Sequence, residues 1–214
     1  MYKYVLFDLD GTLTNPAEGI TNSVIYALDK YGITVEDRKS LYKFIGPPLV
    51  DSFMEYYGFS KEKSLEAIKY YREYFSVKGL YENEVYWGVE KMLETLKARG
   101  KSLIIASSKP EKFVKEILSH FKLSKYFDFV AGASMDEKRN TKDAVIAYAM
   151  ENCPKISSPT AVMVGDRSHD VLGAKVFGIE CIGVTYGFGG REELEKAGAK
   201  HLADTPEEIL NFIM

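Results

Sequence analysis

The stretch Tyr4-Val5-Leu6-Phe7-Asp8-Leu9-Asp10-Gly11-Thr12-Leu13 decides how this chain is read. Its first four residues are apolar without polar alternation, the pattern of a strand buried on both faces of a parallel sheet. The run stops at Asp8. Side chains alternate along extended backbone, so Asp8 and Asp10 point the same way, and Gly11 permits an abrupt turn directly after them. Two carboxylates side by side repel, which raises one pKa unless a cation compensates. Magnesium is the natural compensator, because it takes hard oxygen ligands in a tight octahedron. The plainer alternative is an acidic strand end leading into a turn. The apolar strand before the pair and the Gly-Thr after it favour the metal.

Working outward, four more short apolar runs end in small or acidic residues. Leu103-Ile104-Ile105-Ala106 stops at Ser107, and Phe129-Val130-Ala131 stops at Gly132. Ala161-Val162-Met163-Val164 stops at Gly165-Asp166, and Cys181-Ile182-Gly183-Val184 stops at Thr185. Between them lie helical signals: Gly88–Arg99 closed by Gly100, Pro110–Phe121 with Pro near its first position, and Ser168–Phe177 closed by Gly178. The alternation predicts an α/β fold, a doubly wound parallel sheet with ligands at the carboxyl ends of its strands.

Residues 17–82 break that rhythm. Ile20, Val24, Ala27, Leu28 and Tyr31 recur at helical spacing until Gly32, and Gly46-Pro47-Pro48 is a hard breaker. Leu49–Tyr57 closes at Gly58, Ser60 can cap the next helix, and Gly79 ends it. This predicts a small all-helical insert at 17–82, interrupting a core made of 1–16 and 83–214. The insert carries 9 basic and 10 acidic residues, so it is no basic arm.

The chain's 214 residues suit one or two domains. With 46% hydrophobic and 28% charged residues it reads as an ordinary globular protein, not a disordered, fibrous or disulfide-stapled one. Lys and Arg total 28 against 31 Asp and Glu, a formal charge of −3, so a nucleic-acid polymer is a poor partner. Cys153 and Cys181 are far apart, which suits a reducing compartment. No apolar run approaches 18 residues, and the N-terminal stretch is too short and polar for a signal peptide. The expected location is cytoplasmic, with no membrane partner; the oligomeric state stays open.

A second acidic motif, Gly165-Asp166-Arg167-Ser168-His169-Asp170, follows the fourth predicted strand. Asp166 sits at the strand tip. Asp170 falls in the first turn of the next helix, where an acid meets the macrodipole favourably, and Ser168 is the expected cap. Four acids at two adjacent strand tips make a candidate site for metal-assisted phosphoryl transfer.

With both motifs, the helical insert, and Trp87-Gly88-Val89 where the core resumes, the sequence resembles the haloacid dehalogenase superfamily. The likeness is to its phosphatase branch with a small helical cap, and within that to the phosphoglycolate phosphatase-like group. The resemblance covers nearly the whole chain. It implies a Rossmann-like core and a Mg²⁺-dependent phosphatase acting on small phosphorylated metabolites through an aspartyl-phosphate. It further implies Asp8 as nucleophile and Asp10 as general acid and base. Asp166 and Asp170 would complete a magnesium site with the Asp8 carboxylate and the Asp10 backbone carbonyl. Gly11, Thr12, Ser107, Ser108 and a lysine would surround the phosphoryl group. Lys138, Arg139 and Lys142 are the candidates for that cation, and Lys142 matches best, although Asp143 stands where the family often has Pro.

Three other activities fit the same motifs: a 5'-nucleotidase acting on nucleoside monophosphates, a sugar phosphomutase, and a phosphoacceptor signalling module. The insert holds nine of the fifteen tyrosines, which either fill its core or line a wall near Phe44–Pro48 that could stack on a nucleobase. The glycines of Gly187-Phe188-Gly189-Gly190 are misplaced for a dinucleotide loop and read as a flexible connection. Ser168-His169-Asp170 cannot form a triad from adjacent positions, and the three histidines have no zinc spacing.

Overall fold

Every residue of the opening strand is buried, and its place in the sheet explains why. The computed structural model describes residues 2–214. Strand β1 (Tyr4–Phe7) is followed by a short β2 (Thr14–Asn15), then by helices α1 (Ala17–Asp29), α2 (Leu49–Tyr57) and α3 (Lys61–Tyr74) and a short β3 (Glu84–Val85). Helix and strand then alternate: α4 (Val89–Ala98), β4 (Ser102–Pro110), α5 (Glu111–His120), β5 (Phe129–Ala133), α6 (Lys142–Asn152) and β6 (Ala161–Gly165). The chain ends with α7 (Ser168–Lys175), β7 (Glu180–Val184), α8 (Gly190–Ala197), β8 (His201–Ala203) and α9 (Pro206–Ile213). It divides into two compact units, Met1–Asn15 with Val85–Met214, and Pro16–Glu84.

The first unit contains a six-stranded sheet in the order β5-β4-β1-β6-β7-β8, and its five strand pairings are all parallel. Central β1 pairs with β4 on one side (Phe7↔Ile105) and β6 on the other (Phe7↔Val164). One face is filled by Leu6, Ile104 and Met163 against Val145, Ile146 and Ala149 of α6 and Val171 and Ala174 of α7. On the opposite side α4 packs on β4, and α9 packs on β7. Strand order reverses at β1, so the carboxyl ends of β4, β1 and β6 open the crevice where such sheets bind ligands.

The second unit is helical, as the sequence predicts. Gly58 takes φ +63° and closes α2, while Ser60 Oγ accepts from the Lys63 amide to start α3. Helix α3 ends before Gly79, at Tyr74. From there the chain winds more widely, the Leu80 amide donating to the Phe75 carbonyl at 2.8 Å, before leaving the helix. The reason is a backbone crossing: a Cβ on Gly19 would lie 1.9 Å from the Gly79 carbonyl oxygen. Only two glycines let α1 and this wide turn approach so closely.

Candidate active site

Three strand ends converge on one group of carboxylates. The Asp8 amide donates to the Val164 carbonyl on β6 at 2.9 Å, and the Leu9 amide donates back to Asp8 Oδ1 at 2.8 Å. The Leu9 carbonyl then accepts from the amides of Thr12, Leu13 and Thr14 at 3.2, 2.9 and 3.0 Å, pinning the turn. Gly11 takes φ +81°, and a Cβ there would lie 2.2 Å from Asp166 Oδ2. This position therefore needs glycine twice over, for its backbone and for the carboxylate it covers.

Asp166 leaves β6, and Asp170 stands in the first turn of α7, both wholly buried. The expected cap at Ser168 is corrected: Ser168 is the first helical residue, and extended Arg167 is the cap. The Arg167 amide donates to Asp170 Oδ2 at 3.0 Å, whereas the Ser168 amide donates to Glu193 Oε1 at 2.7 Å. Asp170 thus supplies the bond that starts the helix, and Gly165 makes room for it, since a Cβ there would lie 2.2 Å from Asp170 Cγ.

Carboxylate oxygens of Asp8, Asp166 and Asp170 lie within 4.8 Å of one another, all buried. Lys142, at the start of α6, reaches them past Gly173, where a Cβ would come within 2.8 Å of the lysine stem. Its Nζ sits 3.0 Å from Asp8 Oδ1 and 2.7 Å from Asp170 Oδ1, and donates to the Ala106 carbonyl at 2.9 Å. All three ammonium protons are used. Lys138 instead meets Asp136 at the surface, and Arg139 binds the Gly132 carbonyl and Glu111.

Electrostatically the cluster is short of positive charge. Burial, then Asp170 and Asp8, push the Asp166 carboxyl well above its ordinary range. Burial raises Asp170 to about 6 despite Lys142. Burial opposes the charge on Lys142, but Asp170 and Asp8 outweigh it and hold the ammonium above its usual range. Three carboxylates against one ammonium leave two negative charges, and Asp166 Oδ1 is buried without a hydrogen-bond partner. Oxygen donors, a double negative excess and an orphaned buried carboxylate oxygen fit a hard divalent cation.

The Asp10 side chain is not part of that cluster. Its Oδ2 accepts from Lys109 Nζ in a buried ion pair, while its Oδ1 is buried without a partner. Burial raises its carboxyl, with Lys109 opposing. Ser107 is buried near the end of β4, where its Oγ accepts from the Lys109 amide at 3.3 Å; Ser108 is half-buried beside it. Thr12 is buried with an unpartnered Oγ1.

Two contributors escape a sequence reading. One is Lys109. The other is the Gly187–Gly189 stretch, which is closely packed against Asp166 where a flexible connection was expected. The Phe188 amide donates to Asp166 Oδ2 at 2.7 Å, and a Cβ on Gly187 would lie 2.4 Å from both Asp166 Cβ and the Gly11 carbonyl. Adjacent Tyr186 donates its hydroxyl to the Thr12 carbonyl at 2.9 Å. The glycine spacing was the available signal; that it serves a carboxylate and not a dinucleotide depends on the β6–β7 pairing.

Comparison with known proteins agrees with this geometry. A family model described as haloacid dehalogenase-like hydrolase matches residues 5–184. A 5'-nucleotidase of Pseudomonas aeruginosa is 45% identical over 200 residues, 94% of this chain and 90% of that protein. A phosphoglycolate phosphatase of the same organism is 30% identical over 203 residues, 91% of this chain and 74% of that protein. The crystal structure of a predicted phosphatase from Clostridium acetobutylicum superposes with a TM-score of 0.97 at 54% identity, covering 100% of this chain and 98% of the other. Fold, carboxylate cluster and sequence agree, and the chain belongs to the haloacid dehalogenase-like hydrolases, with the phosphatase chemistry of that family.

Proposed function

We propose that the protein is a magnesium-dependent 5'-nucleotidase that hydrolyses nucleoside monophosphates through an aspartyl-phosphate on Asp8. The observation that carries the substrate class is the 45% identity to a 5'-nucleotidase along nearly the full length of both chains. In this reading an Asp8 carboxylate oxygen attacks phosphorus while the ester P–O bond breaks. Asp10 gives its proton to the departing 5'-oxygen. Asp10 then takes a proton from water, whose oxygen attacks phosphorus, and the Asp8–phosphorus bond breaks to release phosphate.

Lys142 holds Asp8 by one oxygen and lies where phosphoryl charge would gather; Ser107, Ser108, Thr12 and the Gly11 turn supply neighbouring donors. Asp8, Asp166, Asp170 and the Asp10 carbonyl would hold Mg²⁺, which when bound stabilises phosphoryl charge and relieves the carboxylates' mutual repulsion. Residues 17–82, or Pro16–Glu84 by compactness, would form the cap domain.

The tyrosines of the helical unit lend the nucleotide reading no support. Tyr26, Tyr31 and Tyr74 donate their hydroxyls to Glu73, Glu66 and Glu82, and Phe44 is buried edge-on to Phe53. The hydroxyls of these three tyrosines are satisfied within the helical unit, and Phe44 belongs to its core. A smaller organic phosphate is therefore the second reading, backed by the phosphoglycolate phosphatase relative.

Measuring kcat/KM for several nucleoside 5'-monophosphates and phosphoglycolate with Mg²⁺ decides between them. At least one nucleotide is expected to lead, and Asp8→Asn protein to lose turnover of every ester. A tenfold preference for phosphoglycolate would overturn the nucleotidase reading.

A further inference from the structure

We infer that Lys109 is a positioning residue for Asp10, holding one carboxylate oxygen so that the other is presented for proton transfer. The inference rests on the reading of Asp10 as general acid and base given above. Lys109 lies on a strand irregularity: β4 pairs in register with β5 through Ser107↔Gly132, but its next partner pair is Pro110↔Ala133. Three steps on β4 therefore answer one step on β5. Such irregularities re-aim side chains at the rims of sites. Here the irregularity follows Ser107 and precedes α5, at the end of the strand that neighbours β1. Gly132 is required opposite, because a Cβ there would lie 2.4 Å from Glu111 Cα.

The consequence is an ion pair between residues 99 apart in sequence, with both side chains more than nine-tenths buried. The pair divides the two oxygens of Asp10. Oδ2 is taken by Lys109 Nζ, and Oδ1 is buried with no partner. A buried carboxylate oxygen left unpaired is costly, and such atoms in native sites are commonly reserved for chemistry. Asp10 could otherwise rotate about its side-chain torsions, and besides Lys109 the charges acting on it are those of Asp8 and Lys142 in the carboxylate cluster. Lys109 fixes which oxygen faces the ester. In the first half-reaction the proton leaves Asp10 Oδ1 for the ester oxygen as the P–O bond breaks and the Asp8 O–P bond forms. The carboxylate that results keeps Lys109 as its counter-ion. Correct placement of an acid is worth about 10²–10⁴ in rate, so a misdirected Asp10 is detectable kinetically.

The test uses leaving groups. An alkyl ester, such as the nucleoside 5'-monophosphate turned over by the wild type, departs as a strongly basic alkoxide and needs the proton. The 4-nitrophenolate of 4-nitrophenyl phosphate is weakly basic and needs it far less. Because kcat/KM reports only steps through departure of the first product, it isolates the acid role of Asp10 from its later base role.

Lys109→Met is expected to lower kcat/KM at least about tenfold more for the alkyl ester than for the nitrophenyl ester. Lys109→Arg, which keeps the cation, is expected to restore the ratio to within about threefold of wild type. Equal losses on both esters, as a general packing defect gives, would overturn the proposal. Removing one partner of a buried pair can unfold a protein, but the double variant Asp10→Asn/Lys109→Met buries no unpaired charge. Compared with Asp10→Asn alone, it is expected to change kcat/KM for the alkyl ester by less than about threefold. A further tenfold loss there would show that Lys109 acts independently of Asp10, and would also overturn the proposal. No phosphate release from either ester by the wild type would overturn the function itself, whereas wild-type release with a ratio that Lys109→Met leaves unchanged overturns only the role of Lys109.

Discussion

Gly187 shows at the scale of one residue how the site is held. Its Cα approaches both Asp166 and the Gly11 carbonyl so closely that a methyl group has nowhere to go. The two contacts are rigid, one a buried carboxylate stem and the other backbone, so the strain cannot be relieved by a flexible side chain moving away. Gly187→Ala is expected to cost about 1–3 kcal/mol of stability. It should also weaken divalent-cation binding, because the Phe188 amide that orients Asp166 moves with it. Urea unfolding with and without Mg²⁺ reads both effects. A variant as stable as wild type with unchanged metal affinity would show that the loop yields freely.

The elements were legible in the sequence wherever the signal is local. All five apolar runs are strands of one parallel sheet, because burial on both faces demands continuous apolar residues. Gly58 ends α2 through its left-handed backbone, and Ser60 starts α3 through its side-chain oxygen. The C-terminal α8, β8 and α9 went unread: β8 has only three residues, two of them half-buried, so it offers no apolar run. Within the site, Asp8, Asp166 and Asp170 were legible because strand tips and a first helical turn carry them. Lys109 with Asp10 and the Phe188 amide with Asp166 were not, since strand order and an irregular register bring them together.

The same distinction orders two substitutions in the helical unit. Ser60→Ala removes one cap bond and is expected to cost about 1 kcal/mol. Gly19→Ala sets a methyl 1.9 Å from the Gly79 carbonyl, backbone against backbone, and should cost at least twice that. Thermal unfolding of both variants tests the order; an equal or reversed ranking would mean that α1 can shift away from the wide turn.

For the whole molecule, the buried carboxylates link stability to pH and to metal in opposite directions. Burial raises Asp170 from 3.8 to about 6, and raises Asp10 and Asp166 in the same direction. In the metal-free folded protein these groups keep protons that the unfolded chain has already released. Stability therefore falls as pH rises from about 4 through 6, by on the order of 1–3 kcal/mol for Asp170. Asp128 responds with the opposite sign. Burial favours its neutral form, but bonds from Lys97, Ser102 and the Leu103 amide outweigh that and hold it below 3.8, so its contribution is already complete at pH 5. Chelated protein should consequently resist urea better at pH 5 than at pH 7. A divalent cation competes with those same protons and needs the carboxylates ionised. At a hundredfold excess over Kd it adds about 2.7 kcal/mol, and it adds less where protons hold the site. Unfolding curves at pH 5 and 7, in EDTA and in Mg²⁺, should thus show the metal's stabilisation concentrated at pH 7. If chelated protein is instead more stable at pH 7, the cluster is neutralised by some other arrangement of its own side chains, and the case for a cation held between Asp8, Asp166 and Asp170 fails.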